Sequence, residues 1–122
     1  MERIEEFTRD GKNFILIDFS GLTKEHEFRE LTEQVKQIIV KYPEKSVYTI
    51  SNVENIRFDT SVKNIFVDYM RYNKPYVKNG TAIGIDGIKK ILITTVSRLS
   101  GRKTLAFCYS KEEAVNYLLN SD

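Results

Sequence analysis

Asp59, Thr60 and Ser61 stand in the stretch NIRFDTSVKNIF, an acidic residue and two hydroxyls immediately ahead of an apolar-periodic run. Two kinds of chemistry use that grouping. A carboxylate or hydroxyl at a helix start accepts free backbone N–H groups of the first turn. A hydroxyl there can also receive a phosphoryl group, which the same N–H groups help to settle. Other residues able to do chemistry are few. His26 is the sole imidazole and sits between Glu25 and Glu27. Hydrolytic triads need a histidine held between a nucleophile and a carboxylate, and metal sites usually need two or more such ligands, so His26 reads as an exposed residue on a charged helix. Asp18, Asp59 and Asp86 have the oxygen chemistry to converge on a hard cation. Asp59 and Asp86 each precede a helix, however, where capping is the favoured role, and neither metal nor other cofactor is expected. No glycine loop with a following Lys-Ser/Thr is present to cradle a polyphosphate, and GIDGIKK is too sparse in glycine to do so alone. The single Cys108 can neither close an internal disulfide nor build a thiolate metal site, and reads as a small buried hydrophobe.

The elements that must position these groups follow from periodicity. A strand over Arg3 to Thr8, the dipeptide Asp10-Gly11 and an apolar strand over Asn13 to Phe19 predict an antiparallel hairpin. From Lys24 to Tyr42, Phe28, Leu31, Val35, Ile38, Ile39 and Tyr42 recur at helical steps, and Pro43 closes the helix. SVYTISNV at 46–53 is a strand by its β-branched and aromatic content. A second helix begins near Thr60, carries Val62, Ile65, Phe66, Tyr69 and Met70 on its inner face, and ends before Pro75. GTAIGI at 80–85 is the next core strand. A third helix follows, with Ile88, Ile91, Leu92, Val96 and Leu99 expected inward, Lys89, Lys90, Ile93, Thr94, Ser97 and Arg98 outward, and Gly101 as its stop. KTLAFCY supplies the last strand. Ser110 and Glu113, three apart, form a capping box for a closing helix over Lys111 to Asn120.

This order predicts an α/β fold: a mostly parallel sheet of four to five strands, one antiparallel N-terminal strand, and four helices packed on it. Functional groups in such sheets collect at the carboxyl ends of the strands, here Asp18 to Gly21, Ser51 to Ser61 and Gly84 to Gly87.

A chain of 122 residues, 41% hydrophobic and 30% charged, suits a single domain spanning 1–122 and excludes a disordered or membrane-embedded class. Apolar runs such as FILI are too short for a bilayer, and MERIEEF lacks the order of a signal peptide, so a cytoplasmic location is expected. The net charge of +2 is unevenly placed: Lys89, Lys90, Arg98, Arg102 and Lys103 crowd one region and Glu25, Glu27, Glu30 and Glu33 another. The basic region lacks the interleaved aromatics of single-strand binders, which argues against nucleic acid. Two binding surfaces can be drawn. One is a rim of Asp59, Asp86, Lys89, Lys90, Ile93 and Arg98, where an exposed isoleucine among cations could anchor a protein partner. The other is an apolar pocket lined by Phe66, Tyr69, Tyr72 and Tyr76, fit for a small apolar or lipid-like ligand, with core packing as the alternative reading of the same rings.

The element order and the stretch VYTISNVENIRFDTSV resemble the STAS domain, the anti-sigma-factor-antagonist fold, in its divergent SpoIIAA-like branch. That family runs a central strand into a short loop and an Asp-Ser-Ser-Gly or Asp-Thr-Ser-Gly element, matched here by Asp59, Thr60 and Ser61, with Val62 in place of the glycine. GIDGIKKILITTVSRLSGRKTLAFCYSKEEAVNYL is similar to the branch's later half, and the likeness spans about Asp10 to Leu119. It implies a non-enzymatic regulator whose serine, here Ser61 with Thr60 beside it, is phosphorylated by a partner kinase. The partner so implied is a protein, a kinase or an anti-sigma-like factor.

Overall fold

The computed structural model describes residues 2–101 and 105–121, with the side chain of Ile88 left aside. The chain runs β1 (Ile4–Arg9), β2 (Lys12–Asp18), α1 (Glu25–Ile39), β3 (Val47–Asn52), α2 (Thr60–Asn73), β4 (Val77–Ile83), α3 (Gly87–Leu99), β5 (Ala106–Cys108) and α4 (Lys111–Leu119). Among the described residues the strands form one sheet in chain order, β1-β2-β3-β4-β5. β1 and β2 pair antiparallel and the remaining neighbours pair parallel. The hairpin turns at Asp10 and Gly11, with φ of 53° and 75°, so that Arg9 faces Lys12. Two successive left-handed residues match the twist of the flanking strands, which is why Asp-Gly serves there.

Each crossover from β2 to β5 steps to the next strand in the same direction, and right-handed connections then put α1, α2 and α3 on one face. Strand residues alternate accordingly. Ile15, Ile17 and Val47 join Phe28, Val35, Val62, Phe66 and Val96 in the larger core. Phe14, Tyr48 and Ile50 point to the other face, where α4 covers them with Ala114, Val115 and Leu118. Phe7, Phe14 and Tyr48 stack across β1, β2 and β3 at centroid spacings of 5.1 and 5.5 Å. α4 starts as its sequence suggests: Ser110 accepts from the Glu113 N–H at 3.2 Å, though the Glu113 carboxylate reaches back to the N–H of Tyr109 instead of Ser110.

Several bounds differ from expectation. α1 ends at Ile39 rather than Tyr42, because the residue before Pro43 is barred from helical geometry and the chain leaves through turns at Lys41 and Tyr42. β4 begins at Val77, three residues before GTAIGI. The larger correction concerns α3. Ile93 and Ser97, expected outward, are buried, Ile93 at 4% exposure, beside Val96, which is inward as expected, and Ser100, whereas Ile91 and Leu99, expected inward, are 71% and 50% exposed. The helix has two stripes at three- and four-residue spacing, and the one rich in serine turns inward because small side chains let it sit close to its neighbours. Ser100 satisfies its hydroxyl on the Ser97 carbonyl at 2.8 Å. Gly101, at φ 78°, closes the helix as expected; Arg102 and Lys103 lie outside the described residues.

Candidate functional site

The loops after β2 and β3 are stitched together at the carboxyl end of the sheet. Phe19 N–H reaches the Asn52 carbonyl at 2.8 Å, Gly21 N–H that of Glu54 at 2.9 Å, and Arg57 N–H that of Leu22 at 3.0 Å. Leu22, Val53 and Ile56 plug the loops from beneath and are buried. Gly84, at the end of β4, comes so near that a Cβ there would lie 2.7 Å from the Cβ of Glu54 and 2.9 Å from the Asn52 side-chain oxygen, and its φ is +76°. Only glycine fits that approach without displacement.

On this base, Asp59 caps α2. Its Oδ1 accepts the Val62 N–H at 3.0 Å, and the Ser61 hydroxyl donates to the same oxygen at 3.1 Å. Arg57, from the loop, sets Nε 2.8 Å from Asp59 Oδ2 and Nη2 3.4 Å from Ser61 Oγ. The Val62 N–H, the Ser61 hydroxyl and the Arg57 charge hold the Asp59 carboxyl below the usual carboxylate range. Glu25 of α1 joins from the facing helix. Its carboxyl is also held low, first by its hydrogen bond with Arg29, 3.1 Å away, and then by one with Ser61. The Ser61 hydroxyl thus gives its one proton to Asp59 and takes the Arg57 guanidinium on its oxygen. Both carboxyls are held in their ionised form at neutral pH. Ser61 is half-buried and Thr60 exposed. Val62 is fully buried at the foot of the cluster, in the larger core.

The other rim residues form a separate group. Asp86 caps α3 by accepting the Lys89 N–H at 2.9 Å. A groove of about 360 Å³ opens there between the loops after β3, β4 and β5, bordered by Glu54, Asp86, Lys89 and Lys90. Lys90 lies over the Phe107 ring at 5.2 Å, and Tyr109 beside the groove is 95% exposed. Arg98 is nine residues further along α3, roughly 13 Å from Lys89 at 1.5 Å per residue, and belongs to the opposite end. Ile93 faces the core. Asp18 is used locally, its Oδ1 accepting the Ser20 N–H at 2.9 Å. Among the described residues, no three His, Cys, Asp or Glu side chains gather as for a metal ion. Cys108 is buried, and burial raises its thiol pKa.

Beneath α2, Phe66 and Tyr69 line a cavity with Phe19, Met70, Asn73 and Ile93, leaving about 30 Å³ for the centres of water-sized molecules. That is room for a water or two, not for an acyl chain. Tyr72 is 45% exposed with Lys36 over its ring at 5.2 Å, and Tyr76 packs on the core outside the cavity lining. The four rings therefore do not converge. Arg57 and Glu25 are site residues that the sequence reading missed. Arg57, two positions before the cap, carried a local signal; Glu25 lies on another helix and carried none.

Comparison with known proteins gives the same architecture. No protein-family model and no curated protein matches the chain. Among solved structures, an uncharacterised protein of the DUF3478 family with a SpoIIAA-like fold from Shewanella loihica PV-4 is similar at a TM-score of 0.69 and 13% identity, covering 94% of this chain and 91% of that one. The anti-sigma factor antagonist SpoIIAA in its unphosphorylated form is similar at 0.66 and 15% identity, covering 98% of each chain. The chain thus has the STAS-like, SpoIIAA-like α/β fold. Among the described residues no helix is long and apolar enough to cross a membrane.

Proposed function

We propose that the chain is a non-enzymatic regulatory module that binds a protein partner through the rim around Asp59, Thr60 and Ser61, and that a partner kinase switches it by phosphorylating Ser61. The observation that carries this reading is the placement of the Ser61 hydroxyl at the start of α2, within 3.4 Å of Arg57 and within hydrogen-bond reach of Asp59. A phosphoryl group on Ser61 removes the proton that the hydroxyl gives Asp59 and places about two negative charges beside that carboxylate. Arg57 and the first N–H groups of α2 offset part of that repulsion. The rim changes from a neutralised hydrogen-bonded cluster to an anionic one, a difference a partner can read without any change of fold. The buried Val62 keeps the helix start anchored in either state.

Incubation of the purified chain with ATP and extract from its native cells, followed by intact-mass analysis and fragmentation, tests the switch. One phosphoryl group is expected on Ser61, and none on Ser61→Ala. No phosphate on Ser61 or Thr60 under any condition sinks the mechanism.

A further inference from the structure

The helical layer ends in two unlike margins. α1 packs on α2 and α2 on α3, so α1 and α3 bound it. Beyond α1, a groove of about 560 Å³ runs between that helix and β1, with Ile4, Leu31 and Ile38 on its floor and Glu2, Glu6 and Glu30 along its mouth. Arg3 lines the groove too, but its guanidinium is directed to the carbonyls of Asp18 and Ser20 at 3.0 and 2.9 Å. Glu6 accepts the Tyr42 hydroxyl at 2.7 Å. The groove is therefore apolar below and anionic above.

The opposite margin is its complement. α3 turns Ile91 and Leu99 outward, 71% and 50% exposed, with Leu92 half-buried beside them and Arg98 exposed on the same side. At about 100° per residue, Arg98, Ile91, Thr95 and Leu99 fall within a single arc of roughly 100°. Ile91 and Leu99 are separated by eight residues, roughly 12 Å along the helix, and Leu31 and Ile38 by seven, roughly 10 Å. Two apolar knobs on one margin thus match two apolar positions on the other, and a cation lies beside the knobs where carboxylates rim the floor.

We propose that these margins are the two halves of one head-to-tail interface, in which α3 of one copy of this chain seats in the α1–β1 groove of the next, Ile91 and Leu99 on the floor and Arg98 against the Glu2 and Glu30 carboxylates. Because the two surfaces differ, the contact is heterologous, and repetition extends the helical layer sideways into a ring or an open chain. The groove lining does not include Arg57, Asp59 or Ser61, so the interface and the phosphoacceptor use different residues.

Sedimentation velocity across a concentration series tests it. The wild-type chain is expected to gain mass with concentration, and salt is expected to weaken the association. Ile91→Asp breaks one half and Glu2→Lys/Glu30→Lys the other; each alone is expected to weaken association by roughly tenfold or more, as for an interface anchor. Mixed together, the two variants retain one intact half each and are expected to form a 1:1 dimer that grows no further. Circular dichroism checks that each variant is folded, and Leu99→Gln replaces Ile91→Asp if that variant is not. A wild type that stays monomeric throughout, an assembly indifferent to both variants, or a mixture that stays monomeric overturns the proposal.

Discussion

Asp59 joins one backbone donor, one hydroxyl and one guanidinium at the start of α2, and its replacement separates capping from signalling. Asp59→Ala is expected to cost about 1 kcal/mol in urea unfolding, the usual worth of an N-cap. Ser61→Ala leaves the cap in place and is expected to change stability by no more than a few tenths of a kcal/mol. The sign with pH follows from the lowered Asp59 carboxyl. A depressed folded-state pKa stabilises above the unfolded value and is lost as pH falls through the folded one. The protection factor of the Val62 amide is therefore expected to fall on acidification below the usual carboxylate range, and Asp59→Asn to show little of that dependence. Asn73 makes a different case. Its Oδ1 is buried without a hydrogen-bond partner, and the residue, 1% exposed, lines the cavity beneath α2. Replacing an unsatisfied buried polar group by an apolar one of like volume removes its desolvation cost. Asn73→Leu is expected to raise the unfolding free energy by about 1 kcal/mol, seen as a higher urea midpoint, and no gain would mean that water already serves the oxygen.

The elements differ in how far the sequence determined them. α2 was readable because cap, stripe and terminating proline agree: Asp59, then Val62, Ile65, Phe66, Tyr69 and Met70, then Pro75. The hairpin was readable because Asp10-Gly11 permits few other conformations. α3 was misread because burial followed fit rather than hydropathy. The stripe Ile91, Leu92, Leu99 is the greasier, but Ile93 and Val96 with the small Ser97 and Ser100 make the tighter contact, and periodicity cannot rank two stripes of equal spacing. The site was half readable for a related reason. Asp59, Thr60 and Ser61 are contiguous, whereas Glu25 reaches Ser61 only because α1 and α2 lie side by side. α4 is the element on which the second face depends. Leu118 is fully buried there against the Phe14, Tyr48 and Ile50 face, and Leu118→Ala is expected to cost about 2–5 kcal/mol in urea unfolding, by lost transfer energy and the cavity left behind.

At the scale of the whole molecule, Tyr42 ties the chain after α1 to the edge strand β1 through its 2.7 Å bond to Glu6. Burial first, then the Glu6 carboxylate, push its phenol up to about 12. A raised folded-state pKa stabilises fully below the unfolded value and is lost as pH rises through the folded one. Wild type is therefore expected to lose stability relative to Tyr42→Phe between pH of about 10 and 12, with the Tyr42 phenolate absorbance rising late in the same interval. The order of the sheet carries a further consequence. Strand order and chain order coincide among the described residues, so during synthesis each strand from β2 onward pairs, as it emerges, with the strand made just before it. The α1–α3 side can close in the same sequence. The reverse side cannot: Phe14, Tyr48 and Ile50 are exposed until the final helix emerges. A nascent chain arrested before Lys111 would therefore display an apolar aromatic sheet face, the kind of surface a chaperone holds, and release would coincide with the arrival of the last nine-residue helix.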